Sequence, residues 1–132
     1  MNHHRPSQPS WKRLTEIEQF KQILMNSKAK PALIFKHVSD SQESLRVKKS
    51  LEETWNINSD ELDVYLLDVV RSQKLNRFIT ETAGVEDAYP QVLLFADGVT
   101  MYDESEELIN IKKIRIALKI INRTFRWMET RV

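Results

Sequence analysis

Leu33-Ile34-Phe35-Lys36-His37-Val38-Ser39-Asp40-Ser41 is an apolar run that gives way to a short polar loop and then to a helix start. Pro31 stands just ahead of it, where a missing N–H is tolerated at a strand opening. Residues 32–36 are apolar on both faces and short, the pattern of a strand in the middle of a sheet. From about Ser41 to Thr54 the spacing predicts a helix. Leu45, Val47, Leu51 and Trp55 are its apolar positions, and Lys48, Lys49, Glu52 and Glu53 its wet side.

Downstream, Leu62–Val70 reads as a second strand around the β-prone run Val64-Tyr65-Leu66-Leu67. Ser72 is placed to cap a helix whose Leu75, Phe78, Ile79 and Ala83 share a face, and Gly84 sits where a left-handed terminator is wanted. Gln91–Phe95 is a third strand. Asp97-Gly98 is a hairpin signal that returns Val99–Tyr102 antiparallel. An acid-rich loop, Asp103 to Glu107, then leads to a long last helix from about Asn110, with Ile114, Ala117, Leu118, Ile121, Phe125 and Met128 in register. Upstream, Thr15 and Glu18 are spaced as a capping box for a helix over 16–26 built on Ile17, Phe20, Ile23 and Leu24, and Leu14 is placed to staple onto it.

The order of elements implies a right-handed parallel βαβ crossover followed by an antiparallel hairpin. This α/β chain is therefore expected to be thioredoxin-like: a four-stranded mixed sheet flanked by helices, with an N-terminal helix and a long C-terminal one. Tyr89-Pro90, immediately before the third strand, reads as a cis bond.

At 132 residues the chain suits one domain, placed at 11–132 behind a flexible tail at 1–10. The histidine pair His3 and His4 is read as part of that tail rather than as a metal site. With no cysteine there is no disulfide, thiolate metal site or thiol nucleophile. No apolar run has signal-peptide or membrane length, so the expected location is cytoplasmic, with no membrane span. A net charge of +1 gives no general reason to expect nucleic acid. The charge is uneven, however. Lys112, Lys113, Arg115, Lys119, Arg123, Arg126 and Arg131 face a single acid, Glu129, at the C-terminal end.

Several words in order and spacing resemble one branch of the thioredoxin superfamily: Trp11-Lys12-Arg13-Leu14, Ile34-Phe35-Lys36-His37, Asp63-Val64-Tyr65-Leu66-Leu67-Asp68 and Tyr89-Pro90-Gln91-Val92-Leu93. That branch is the YtxJ family of bacillithiol-system redox proteins, the monothiol bacilliredoxins, and the resemblance runs from about Trp11 to about Leu118. It implies a single reactive cysteine four residues after the histidine, which falls on Ser41. It also implies a groove formed by His37, Val38, Ser39, Asp40, Gln42, Tyr89 and Pro90 that receives a client protein or a low-molecular-weight thiol such as bacillithiol. Where the family has a basic residue this chain has Asp40, and where the family has a small one it has Tyr89.

These departures act against thiolate chemistry. A serine hydroxyl is not ionised at neutral pH and forms no disulfide. Asp40 disfavours a second anion at a helix start that otherwise attracts one. The expected function is therefore noncovalent binding by a redox-inactive relative, with no cofactor. The alternative, an active monothiol–disulfide oxidoreductase removing bacillithiol from clients, requires Ser41 to be an engineered replacement. Engineering normally changes one position, whereas this loop also differs at Asp40, Gln42 and Glu43.

Ser41, His37 and Asp40 also comprise the residue types of a hydrolase triad. One short loop rarely aligns all three, so the expectation is that Ser41 or Ser39 caps the helix and His37 bonds locally. His37 and Asp40 together supply at most two metal ligands. The basic C-terminal helix, with Phe125, Trp127 and Met128, is a second alternative as an interaction module for an anionic partner. Trp127 is the candidate homodimer contact.

Overall fold

The computed structural model describes residues 8–130, with side chains described as far as Phe125. His3, His4, Arg126, Trp127, Met128 and Arg131 therefore lie outside the described residues or side chains. The elements run β1 (Lys12–Arg13), α1 (Ile17–Asn26), β2 (Ala32–His37), α2 (Gln42–Glu53), β3 (Asp63–Asp68), α3 (Gln73–Ala83), β4 (Gln91–Ala96), β5 (Val99–Ser105) and α4 (Ile111–Thr130), with a 3-10 turn at Glu106–Leu108.

The sheet is mixed and has five strands in the order β1-β3-β2-β4-β5, one more than the sequence suggested. The added strand is β1, parallel to β3 through Lys12↔Tyr65 and Arg13↔Leu66. Two residues are too few to display an alternating pattern. What holds them is on either side: Leu14 donates its N–H to Leu66 O at 3.0 Å, and the Trp11 ring lies 5.7 Å from Phe35 and 6.1 Å from Trp55.

Central β2 pairs parallel with β3 and antiparallel with β4, and all six of its residues are buried. Alternation divides its side chains between two cores. Leu33 and Phe35 join Val64, Val92 and Leu94 beneath α2 and α4 through Val47, Leu51, Ile114, Leu118 and Ile121. Ala32 and Ile34 join Tyr65, Leu67, Leu93 and Phe95 beneath α1 and α3 through Phe20, Ile23, Leu75 and Ile79. Leu14 is 1 % exposed and belongs to this second core.

Local signals were honoured in some places and replaced in others. Asp97 and Gly98 both adopt positive φ, 54° and 77°, as a tight twisted hairpin demands. Gly84 closes α3 at φ 71°. The Thr15/Glu18 capping box does not form. Gln19 takes its place, accepting the Thr15 N–H at 3.0 Å and donating to Arg13 O at 2.8 Å, while Glu18 pairs with Lys21. Ser72 holds the cap position of α3 without a side-chain hydrogen bond, and Asp68 Oδ1 instead accepts the N–H groups of Val70 and Arg71. Leu45, placed on the apolar face of α2, is 44 % exposed.

The acid-rich segment is not a loop throughout. Asp103, Glu104 and Ser105 pair with Leu93, Val92 and Gln91 as the end of β5, and only Glu106–Leu108 leaves the sheet. An edge strand accommodates such acids because its outer positions stay wet. The Tyr89–Pro90 peptide bond is cis, and Pro90 O accepts the Glu106 N–H at 2.8 Å. Among the described residues no helix is long and apolar enough to cross a membrane.

Candidate functional site

The end of β2 sends consecutive side chains to opposite faces of the sheet. His37 goes toward α2. Its Nδ1 lies 2.7 Å from Ser44 Oγ, and the same oxygen accepts the Val38 N–H at 3.0 Å. Burial lowers the His37 pKa, the charge of Lys48 lowers it further, and Asp68 and Glu52 oppose them. A neutral ring fits these two contacts: the Ser44 hydroxyl donates to Nδ1 and accepts from Val38.

Ser41 is the cap of α2. Its Oγ accepts the Ser44 N–H at 3.2 Å, its C=O accepts the Leu45 N–H and its own N–H donates to Val38 O. A serine in extended backbone ahead of a helix does this because the first helical N–H groups have no partner within the helix. The hydrogen bonds of Ser41 and His37 thus run to the helix backbone and to Ser44, with no triad among Ser41, His37 and Asp40. Ser39, Asp40 and Gln42 are exposed on the rim of this turn.

Lys36 points to the other face, and sequence reasoning missed its significance. It is fully buried, and its Nζ donates to Asp87 Oδ1 at 3.1 Å and to Thr80 Oγ1. Burial lowers its pKa, while the hydrogen bond to Asp87 and that carboxylate's charge raise it. Burial also pushes the Asp87 carboxyl up, but hydrogen bonds from Tyr89, Lys36 and Asn76, together with the Lys36 charge, outweigh this and hold it below its usual value. The Tyr89 hydroxyl donates to Asp87 Oδ2 and accepts from Asn76 Nδ2 at 3.0 Å. Burial and then the Asp87 bond raise its pKa. The signal available beforehand was a charged residue inside a strand apolar on both faces, which requires an opposite charge elsewhere in the chain.

Tyr89 is therefore tied to α3. With Val38, Val69, Asn76 and Asp87 it lines an open cleft of about 510 Å³. Pro90 beside it is buried. Among the described residues no protein hydrogen bond engages the N–H or C=O of Tyr89. Val38 and Tyr89 thus share one cleft, with Ser41 at the start of the adjoining helix. None of these groups is a thiol or a free activated nucleophile. With no cysteine in the chain, the cleft holds no thiol.

The basic residues of α4 take different roles. Lys113 Nζ lies 3.5 Å from Glu104 Oε1, and Arg115 donates to Asn56 O at 3.1 Å. Lys112, Lys119 and Arg123 are exposed. Among the described residues no group of three His, Cys, Asp or Glu side chains could hold a metal ion.

A family profile described as monothiol bacilliredoxin BrxC matches residues 12–114. Among solved structures, the chain is similar to a thioredoxin of Malassezia sympodialis at 18% identity, with 92% of this chain and 98% of that one covered and a TM-score of 0.67. A thioredoxin of Trypanosoma brucei brucei matches at 15% identity, covering 92% of this chain and 99% of that one, with a TM-score of 0.66. A protein described as an oxidoreductase with a thioredoxin fold matches at 24% identity, covering 80% and 90%, with a TM-score of 0.65. At these identities the likeness shows the thioredoxin fold. A comparison with curated protein sequences finds no significant match.

Proposed function

The chain belongs to the monothiol bacilliredoxin BrxC family, and on that premise we propose that it is a member without thiol chemistry that keeps a binding groove. The groove lies between the Val38–Gln42 turn and Tyr89-Pro90. It holds an extended segment of a client protein, or a low-molecular-weight thiol of the bacillithiol kind, without a covalent bond. Its setting in this reading is the bacterial cytoplasm.

The observation that carries the reading is the unengaged main chain of Tyr89 next to buried Pro90. Such a residue can pair its N–H and C=O with an extended backbone laid across it, which gives affinity independent of any reacting sulfur. Val38 and the Tyr89 ring supply apolar walls on the cleft side. The α2 start adds its positive end, partly offset by the exposed Asp40. Ser41, where the family resemblance places the cysteine, serves the fold as a helix cap.

Restoring the thiol tests this. Wild-type protein mixed with a bacillithiolated client should release no thiol above the buffer rate, and Ser41→Cys should release it. Release by the wild type would overturn the silent reading. An inert but folded Ser41→Cys would mean that Asp40 and Tyr89 have remodelled the groove, and the intact-groove reading would fail.

A further inference from the structure

α4 packs one side on the sheet, and its outer side is divided lengthwise. On one flank Lys112, Arg115 and Lys119 line an open cleft of about 420 Å³ with Asn56, Glu61 and Asn122. On the other, Met101 of β5 and Ala117, Ile120 and Ile121 of α4 line an apolar groove of about 330 Å³. Ile116 borders both. It is 53 % exposed, and Ile120, one turn on, is 58 % exposed. By the helical period of about 100° per residue, Lys112, Lys119 and Arg123 occupy the sector next to these two isoleucines.

The cationic flank lacks compensating charge. From Ile111 to Phe125 the helix has no acid. Among the described residues Lys112, Lys119 and Arg123 make no ion pair, and Arg115 donates to a carbonyl, Asn56 O. Acids on the neighbouring segments have other partners: Glu61 accepts from Asn58, Glu104 faces Lys113 and Glu107 pairs with Arg46. Asp103, paired with Leu93, is turned by strand alternation to the opposite face of the sheet.

We propose that the outer side of α4 seats the protein on an anionic bilayer surface. Ile116, Ile120 and Met101 reach the first acyl carbons, and Lys112, Arg115, Lys119 and Arg123 lie among the headgroup phosphates. The helix stays docked on the sheet, lies in the plane of the surface and spans nothing. Its two flanks match the two chemistries that meet at that depth: aliphatic carbon with no hydrogen-bond demand, and fixed negative charge. A nucleic acid would lay sugar and phosphate on Ile116 and Ile120, and the described outer side of α4 gives its bases no ring to stack on. A second copy would bring two cationic faces together. The surface lies across the sheet from the Tyr89 cleft, which α3 lines, and does not rest on that groove.

The test is sedimentation of the full chain with vesicles of phosphatidylcholine, with and without about 30 % phosphatidylglycerol. The protein should bind the anionic vesicles, ignore the neutral ones, and lose at least about tenfold in affinity as salt rises from about 0.05 to 0.5 M. Lys119→Glu with Arg123→Glu should weaken binding at least about tenfold, and so should Ile116→Ser with Ile120→Ser. All four positions are exposed, and near-UV dichroism should stay unchanged. Equal binding to both vesicles, no binding at millimolar lipid, or full binding by either double variant would overturn the proposal. So would tighter binding to poly-glutamate or to single-stranded DNA than to the anionic vesicles.

Discussion

His37 Nδ1 lies 2.7 Å from the Oγ of Ser44, not of Ser41. One buried hydroxyl thus joins the end of β2 to the first turn of α2, because it also accepts the Val38 N–H at 3.0 Å. Removing it strands the buried His37 ring nitrogen and the part-buried Val38 N–H. Ser44→Ala should cost about 1–3 kcal/mol, measured by urea unfolding. Ser41→Ala removes only a cap and should cost about 0.5–2 kcal/mol. A Ser44→Ala variant as stable as wild type would show that the junction carries no energy.

Acidification should destabilise the protein in two stages. Burial, with the charge of Lys48, puts the folded pKa of His37 below the 6.5 of an ordinary histidine. As pH falls the unfolded chain takes the proton first. The stability associated with neutral His37 is complete above 6.5 and is lost as pH falls through the folded value. Asp87, held below 3.8 mainly by Tyr89, Lys36 and Asn76 against the effect of burial, contributes stability that is present above 3.8 and lost only in stronger acid. In urea unfolding at stepped pH, His37→Asn should flatten the first stage and Asp87→Asn the second. A slope below pH 6.5 unchanged from wild type in His37→Asn would contradict the assignment.

The Lys36–Asp87 pair should respond asymmetrically. Asp87→Ala leaves a fully buried ammonium without its carboxylate and should cost on the order of 1–3 kcal/mol, toward the lower end because the Asp87 side chain is 40 % exposed. Lys36→Met removes the buried charge and leaves Asp87 partly in water with Tyr89 and Asn76 still on it, so thermal unfolding should show a smaller loss than Asp87→Ala. Adding Asp87→Ala to Lys36→Met should then cost far less than Asp87→Ala alone. Additive losses would mean that the two residues do not stabilise each other.

Features written within a few residues were readable in the sequence. The both-face apolar strand around Leu33-Ile34-Phe35, the serine ahead of α2 and Asp97-Gly98 each need only local sterics or one missing helix partner. What escaped depended on distant residues. β1 exists because Trp11 and Leu14 anchor it, and its two residues have no period of their own. The acids at Asp103 and Glu104 read as a loop, yet at a sheet edge they face water or Lys113. Lys36 and Asp87 are 51 residues apart, and nothing near either indicates the other. The position of Ser41 at the turn was readable, whereas the hydroxyl that His37 chooses depended on how α2 turns Ser44 inward.

The most direct test of the groove follows the wild-type chain by amide NMR while a client-derived peptide bearing a bacillithiol mixed disulfide is added. Noncovalent binding at the Tyr89-Pro90 groove predicts saturable shifts confined to Val38–Gln42 and Tyr89–Gln91, with the disulfide intact at the end of the titration. Spectra unchanged in those two segments, or a thiol released from the peptide, would contradict it.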